Sequence, residues 1–472
     1  MDGFEERLAA SLARVIPEYE KLVSARRLSG GASQETYRVE IETRSGARTL
    51  AVRRAASGSA DNRDRTGPGL DAEVELFRVA RRVGVPEPEI FHVFEPGEGL
   101  GEGFVMQWLE GETVGSRILR DAKLDEIRPR LAFECGEVLA RIHGIDPVSS
   151  GLTERLETVS TRDFVTRIWE TYRSFDTALP MVDYTARWLL EHLPSETEPR
   201  LVHNDFRNGN IMVSPDGIVA VLDWELAHLG DPVRDLGWIC TNSWRFGRHD
   251  LPVGGFGRLE DLLDGYEHVS GIRVDPQRVQ FWEVFGSFWW SAMSLNMAFA
   301  WRNGIDRTVE RPGIARRSSE CQIDCANLII PGPVTLVEAS APASSVDMPR
   351  IDELLTSVRD FLRKDAREAL DGRNSFLALV ASNSIDIAQR ELTLGPAHLR
   401  AECERLRALL PGLAEDAPLE SLRAQLCERL RDGSIALDHP GLADHLRTTA
   451  ANQVSIDQPT YSGLAAALAG GS

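Results

Sequence analysis

LVHNDFRNGNIMV (residues 201–213) sets a polar run between two apolar stubs, and VLDWE (221–225) follows it after a short turn. The stubs are too short for helices and rich enough in β-branched residues for strands. HNDFRNGN (203–210) therefore reads as a loop joining two strands. Asp205 and Asn210 lie five residues apart on it, and Asp223 comes thirteen residues later. That order suits phosphoryl transfer. A carboxylate on such a loop accepts the proton of a hydroxyl that attacks a γ-phosphate. An amide oxygen five residues on reaches Mg2+, and a second carboxylate at the end of the neighbouring strand completes the metal site. Turn chemistry accounts for Asn208-Gly209 or Asp216-Gly217 alone. It does not account for Asp, Asn and Asp at these intervals beside apolar strands.

Upstream, the first hundred residues read as short strands. One ends at 28–31; TYRVEIE (36–42) and TLAVR (49–53) follow. A Gly/Ser/Asp-rich loop covers 56–69, a helix runs over about 70–83 to Gly84 and Pro86, and two more strands lie near 89–94 and 103–109. This predicts a five-stranded sheet carrying one helix. It supplies the parts a nucleotide needs. The turn holding Gly30, Gly31 and Ser33 offers backbone N–H groups to phosphates, although a Gly-Gly turn is often only a hairpin. Arg53 ends the third strand, where a cation faces the α- and β-phosphates. Glu73 on the helix is a partner for it, with Glu75 an equal candidate. The strand ending at Gln107 and Leu109 leads to a lobe junction whose backbone can read an adenine edge.

Downstream the periodicity turns helical, over 124–143, 162–192 and on to about 330. The segment 331–346 is rich in Pro, Ser and Ala and reads as a linker. After it Ile351, Leu354, Leu355, Val358, Phe361 and Leu362 share one helical face, and 376–392, 398–410, 419–430 and 442–454 follow as amphipathic helices. The expected class is α+β: a small sheet lobe (1–110) that binds nucleotide, a helical catalytic lobe (111–330), the linker, and a separate small all-α bundle (347–472). The run 281–301 is long enough to span a bilayer but carries Glu283 and Asn296, so it reads as a core helix whose tryptophans mostly fill the interior.

The 472 residues carry 72 acidic and 53 basic side chains, a net charge of −19. That balance argues against nucleic acid and against an anionic membrane surface. Only Lys21, Lys123 and Lys364 are lysines; the other basic residues are arginines. The six cysteines are scattered, and Cys321 and Cys325 read as helical neighbours rather than metal ligands. The amino terminus has no apolar core segment of the secretory kind, so a cytoplasmic location is expected. His143, His203 and His228 read as packing or hydrogen-bonding residues, and Asp231 and Asp235 as anchors of the following helix.

The sequence resembles the aminoglycoside phosphotransferase family, part of the protein-kinase-like fold. The resemblance rests on LSGGASQETYRV, AVRR, AEVELF, FVMQWLEG, LARIHGID, LVHNDFRNGNIMV and VLDWELAHLGDPVRDLGW, in order over roughly residues 20–300. It is more similar to the branch often fused to acyl-CoA dehydrogenases than to antibiotic-resistance enzymes. The resemblance implies ATP and Mg2+ as cofactors and Asp205 as catalytic base. It implies Asn210 and Asp223 as metal ligands, Arg53 and Glu73 as the phosphate-orienting pair, and the Gly30–Ser33 turn as nucleotide cover. Two positions depart from the pattern: Asn204 stands where the family usually has Gly, and Arg53 where it usually has Lys. The tail is similar to a helical domain of unknown function that accompanies such kinases in bacteria. The expected activity is transfer of the γ-phosphate to a hydroxyl of a small molecule, a hydroxyacyl thioester being favoured over an antibiotic. The alternative is a catalytically silent nucleotide-binding module acting through its tail. A homo-oligomer formed through that tail is a further expectation.

Overall fold

The computed structural model describes residues 3–28, 34–55, 68–339, 348–414 and 416–470. The expected turn at Gly30, Gly31 and Ser33, and the second half of the linker, lie outside the described residues.

A helix that the sequence reading did not foresee comes first, α1 (Phe4–Val15). Strands β1 (Tyr19–Arg27), β2 (Gln34–Thr43) and β3 (Gly46–Ala55) follow, then α2 (Gly69–Arg82), β4 (Ile90–Val93) and β5 (Gly103–Gln107). They form one antiparallel sheet in the order β1-β2-β3-β5-β4. Leu8 and Leu12 of α1 are buried against Val39, Ile41, Leu50, Val52 and Val105, which closes one face of the sheet. On α2 the apolar residues Leu70, Val74 and Phe77 recur at helical spacing and are buried. Asp71 in its first turn and Arg81 and Arg82 in its last suit the helix dipole.

The second lobe starts with α3 (Gly115–Ile118) and α4 (Leu131–His143). The latter is shorter than the expected 124–143 because Arg128–Arg130 forms a 3-10 turn around Pro129. The expected helix 162–192 is two, α5 (Thr161–Arg173) and α6 (Pro180–Glu191), divided where Pro180 starts the second. Then come β6 (Arg200–Val202), β7 (Ile211–Ser214), β8 (Gly217–Val221), β9 (His228–Gly230) and helices α7 (Val233–Cys240), α8 (Leu259–Ser270), α9 (Pro276–Arg302), α10 (Glu310–Arg316) and α11 (Ser318–Ile329). β6 pairs with β9, and β7 with β8, so HNDFRNGN passes between two small ribbons. Trp282 and Trp289 of α9 are buried, whereas Trp301 at its end is exposed. No helix among the described residues is long and apolar enough to cross a membrane.

The tail is helical: α12 (Ile351–Phe361), α13 (Arg367–Ala369), α14 (Gly372–Leu409), α15 (Leu419–Asp432), α16 (Leu442–Asp457) and α17 (Ser462–Leu468). The two expected helices 376–392 and 398–410 are one, with Pro396 inside it. The core of the tail is continuous with that of the second lobe, not separate from it. Leu422, Leu426 and Leu446 belong to the same buried cluster as Met181, Tyr184 and Ile323. Polar ties reinforce the seam. Asp183, fully buried on α6, accepts from Arg431 Nε at 2.7 Å and Nη2 at 2.9 Å. Tyr461 donates to Asp324 at 2.5 Å. Val337, in the first part of the linker, donates its backbone N–H to Asn452 at 2.9 Å. On α12 no residue is buried, and Ile351, Leu354, Val358 and Phe361 face solvent.

Candidate active site

Two backbone features shape the loop at 203–210. Asn204 has φ 67°, a left-handed conformation that Asn accepts more readily than most residues, which explains why it can stand at a position usually held by glycine. Gly209 has φ 117°, and a Cβ there would sit 2.7 Å from Arg207 Nη1. The loop is tied from beneath by Asp235 on α7. Its Oδ2 accepts from the backbone N–H of His203 at 2.8 Å, and its Oδ1 from that of Asn204 at 2.7 Å. The sequence reading had Asp235 anchoring its own helix; it anchors the loop instead. Burial alone would raise this carboxyl, but His143, bonded to it at 3.1 Å, and the backbone N–H of His203 hold it below the usual carboxylate range. Asp231 does cap α7, accepting from Val233 N–H at 3.0 Å, and it also takes Arg278 and Trp282.

His203 is fully buried against Trp224, and its Nδ1 accepts the Asp205 N–H at 3.2 Å. Burial depresses its pKa, so it stays neutral and orients the loop. His228 is similar: burial takes it down to about 4. Trp224 is bonded in turn to the buried Glu87 at 3.0 Å, a support that no spacing rule could have found.

Asp205, Asn210 and Asp223 are brought together. Asp205 Oδ2 accepts from Asn210 Nδ2 at 2.5 Å, and Oδ1 accepts from Trp238 Nε1 at 2.8 Å and Arg207 Nε at 3.0 Å. Asn210 C=O accepts from Leu222 N–H at 2.8 Å, which fixes it beside Asp223. Asp223 itself has φ 72°, a strained backbone of the kind that clusters at functional sites. With Asn210 Nδ2 turned to Asp205 and Asp223 Oδ1 turned to Arg53, Asn210 Oδ1 and Asp223 Oδ2 have no partner among the described residues. Two such hard oxygen donors fit Mg2+.

Across the cleft, Arg53 on β3 reaches three groups at once. Nη1 lies 2.9 Å from Glu73 Oε1 on α2, a charge contact rather than an aligned hydrogen bond, and Nη2 donates to Asp223 Oδ1 at 2.9 Å. Nε donates to Gln34. Burial would lower the guanidinium, but Glu73 and Asp223 keep it above its ordinary value. Glu73 is 1% exposed, and burial pushes it up to about 7 against the pull of Arg53. Glu75, the equal candidate from sequence, faces outward and pairs with Arg78. At the lobe junction Gln107 N–H is bonded to Glu89 C=O at 2.8 Å, whereas Leu109, two residues on, makes no backbone hydrogen bond among the described residues. Arg207 and Trp238, both on Asp205, were missed; the former was in plain view two residues along the loop.

A twisted sheet lobe whose third-strand cation meets a helix glutamate, set over a helical lobe with this loop, is the two-lobed kinase-like fold. The chain belongs to the phosphotransferase enzyme family, whose model matches residues 24–272. A second model, a domain of unknown function (DUF6285), matches 368–461. Acyl-CoA dehydrogenase family member 11 of Rattus norvegicus is 28% identical over 329 residues, covering 62% of this chain and 40% of that protein. The Gallus gallus protein of the same name is 31% identical over 244 residues, covering 46% of this chain and 30% of that one. The chain thus spans less than half the length of these curated relatives. A solved Ralstonia eutropha protein, named for its likeness to aminoglycoside phosphotransferases, superimposes with a TM-score of 0.55 at 20% identity, over 67% of this chain and 95% of that one. That likeness bears on the fold.

Proposed function

We propose that the protein is an ATP-dependent phosphotransferase that moves the γ-phosphate to a hydroxyl of a small molecule. The observation that carries this is the convergence of Asp205, Asn210, Asp223 and the Arg53–Glu73 pair on one cleft. In this reading the unbonded backbone of Leu109, next to Gln107, meets the adenine edge, the Gly30–Ser33 turn covers the phosphates and Arg53 orients them. Asp205 takes the proton of the acceptor hydroxyl as its oxygen bonds to the γ-phosphorus, and the bond from that phosphorus to the β-phosphate oxygen breaks, releasing ADP. Asn210 and Asp223 would hold Mg2+, which neutralises charge on the phosphates. The names of the relatives favour an acyl thioester carrying a hydroxyl as acceptor, ahead of an antibiotic. Self-association with a second copy through the tail belongs to the same proposal, supported by the exposed apolar side chains of α12, and sedimentation of the full chain tests it. The central test is Mg-ATP turnover against hydroxyacyl-CoAs, hydroxy acids and kanamycin, with Asp205→Ala as control. The expected outcome is turnover on a hydroxyl acceptor and a loss of at least 1,000-fold in the variant. Nucleotide binding without turnover on any acceptor would instead make the protein a silent regulatory module.

A further inference from the structure

Asp205 is gripped by more than its own loop. Trp238, the donor to Oδ1, comes from α7 and is 1% exposed. Over its ring lies the guanidinium of Arg234, 4.7 Å from the centroid, with Trp289 at 4.9 Å and Phe285 at 5.1 Å from the same group. Arg234 is fully buried, and none of its three side-chain nitrogens has a hydrogen-bond partner among the described residues. Burial takes it down to about 9, so it keeps its charge at neutral pH. On the other donor, Arg207 stacks over Trp244 at 4.3 Å, and Trp244 meets Trp238 edge-on at 5.1 Å. Two cations and two indoles therefore form a continuous chain around one carboxylate oxygen. An unpartnered buried guanidinium is costly, and ring faces compensate only in part. Such an arrangement in a fold otherwise rich in paired arginines calls for a use.

We propose that Trp238 is a positioning residue for the transfer reaction, its indole N–H fixing Oδ1 of Asp205 so that the acceptor hydroxyl delivers its proton to Oδ2. The proposal rests on the phosphotransferase reading. A cation against the π face draws electron density from the indole and makes its N–H a stronger donor, which is what Arg234 contributes. Oδ1, with two donors, has both lone-pair directions filled. Among the described residues Oδ2 has one donor, Asn210, which keeps one direction open. The balance is closed: the acceptor O–H bond breaks and its proton bonds to Oδ2. The freed pair bonds to the γ-phosphorus, and the β–γ bridging pair leaves with ADP.

The test uses the full chain. Trp238→Phe keeps a ring and removes the N–H. The expected result is a 10- to 100-fold fall in kcat with KM and Kd for ATP within about twofold, as for a base held slightly out of line. Arg234→Met should move kcat the same way, and Arg234→Lys should recover part of it. A kcat within twofold of wild type, or an ATP affinity that falls in parallel, would overturn the proposal. Should Trp238→Phe not fold, as judged by circular dichroism, benzothienylalanine at 238 keeps the shape without the N–H and is held to the same criteria. A second readout needs no turnover. In 15N-indole-labelled protein the Trp238 Hε1 resonance is expected downfield and should move upfield in Asp205→Ala; an unmoved resonance overturns the bond. Wild-type protein inert on every acceptor sinks the phosphotransferase reading, and the indole shift then still decides whether the grip exists.

Discussion

Replacing Arg53 by lysine separates geometry from charge at the proposed nucleotide cleft. The guanidinium uses three nitrogens in three directions: Nη1 toward Glu73 and Nη2 toward Asp223, each at 2.9 Å, and Nε toward Gln34. A lysine brings one nitrogen to one point, so it can serve Glu73 or Asp223 but not both in their present positions. Losing one charge-assisted hydrogen bond costs about 1.5–3 kcal/mol, roughly 10- to 150-fold in an equilibrium constant. Arg53→Lys is therefore expected to weaken Mg-ATP binding by that factor in titration calorimetry and to lower kcat/KM for ATP at least as much. Arg53→Ala should lose more, because Glu73, already near 7, takes up a proton and the cleft loses the guanidinium that would face the phosphates. Glu75→Ala is the control; its carboxylate pairs with Arg78 on the surface, and it should bind ATP like wild type. The reasoning fails if Arg53→Lys binds ATP with wild-type affinity, or if Glu75→Ala is impaired as much as Glu73→Ala.

The tail and the pH dependence can be tested on stability alone. Arg431→Met leaves Asp183 buried without its cation and is expected to cost about 3–5 kcal/mol in urea denaturation, with Asp183→Leu in the same chain restoring most of it. A cost below about 1 kcal/mol would mean that the seam does not depend on this pair. For His228 the folded pKa, about 4, lies below the ordinary value of 6.5. The unfolded chain therefore takes the proton first as pH falls, so any advantage of wild type over His228→Phe is intact above pH 6.5 and shrinks down to pH 4. The expected decrease is roughly 3 kcal/mol. A gap between the two proteins that does not change with pH would show that His228 is not held neutral.

The two-lobed fold class was legible in the sequence, and so was the grouping of three candidate residues, whereas helix ends and long-range contacts were not. Asp205, Asn210 and Asp223 sit on one loop and its neighbouring strand, so sequence spacing carries their geometry directly. Arg53 and Glu73 come from separate elements, and there the choice between Glu73 and Glu75 was settled only by which face of α2 packs on the sheet. Asp235, Trp238 and Glu87 act across 30 residues or more, through contacts that only the tertiary fold creates. Helix boundaries failed at prolines, in both directions. Pro180 begins a helix of its own after α5 has stopped at Arg173, whereas Pro396 sits inside α14 beside the buried Gly395 and Ala397, where packing on the tail outweighs one lost hydrogen bond. The tail's amphipathic pattern foretold helices but not that their apolar faces would join the catalytic lobe, since a hydrophobic stripe names no partner.

The net charge of −19 invites a cationic acceptor, yet the surroundings of Asp205 point elsewhere. Its packed neighbours are Arg207, Trp238 and, behind the indole, Arg234. Trp244 and Trp290 continue the same aromatic wall, 5.4 Å between centroids, and both keep a buried N–H without a partner among the described residues. The acid behind them, Glu283, is already paired with Arg245. A polyamine-like antibiotic is held by unpaired carboxylates, and each cation on this wall would oppose it. The partly exposed groups of this wall, Arg207 and the ring of Trp290, offer guanidinium charge and an aromatic face, which suit an acceptor with carbonyl oxygens and an apolar body. The acidity of the chain is spread over surfaces such as the tail, and local composition, not total charge, is what supports a neutral or anionic acceptor for the proposed transfer.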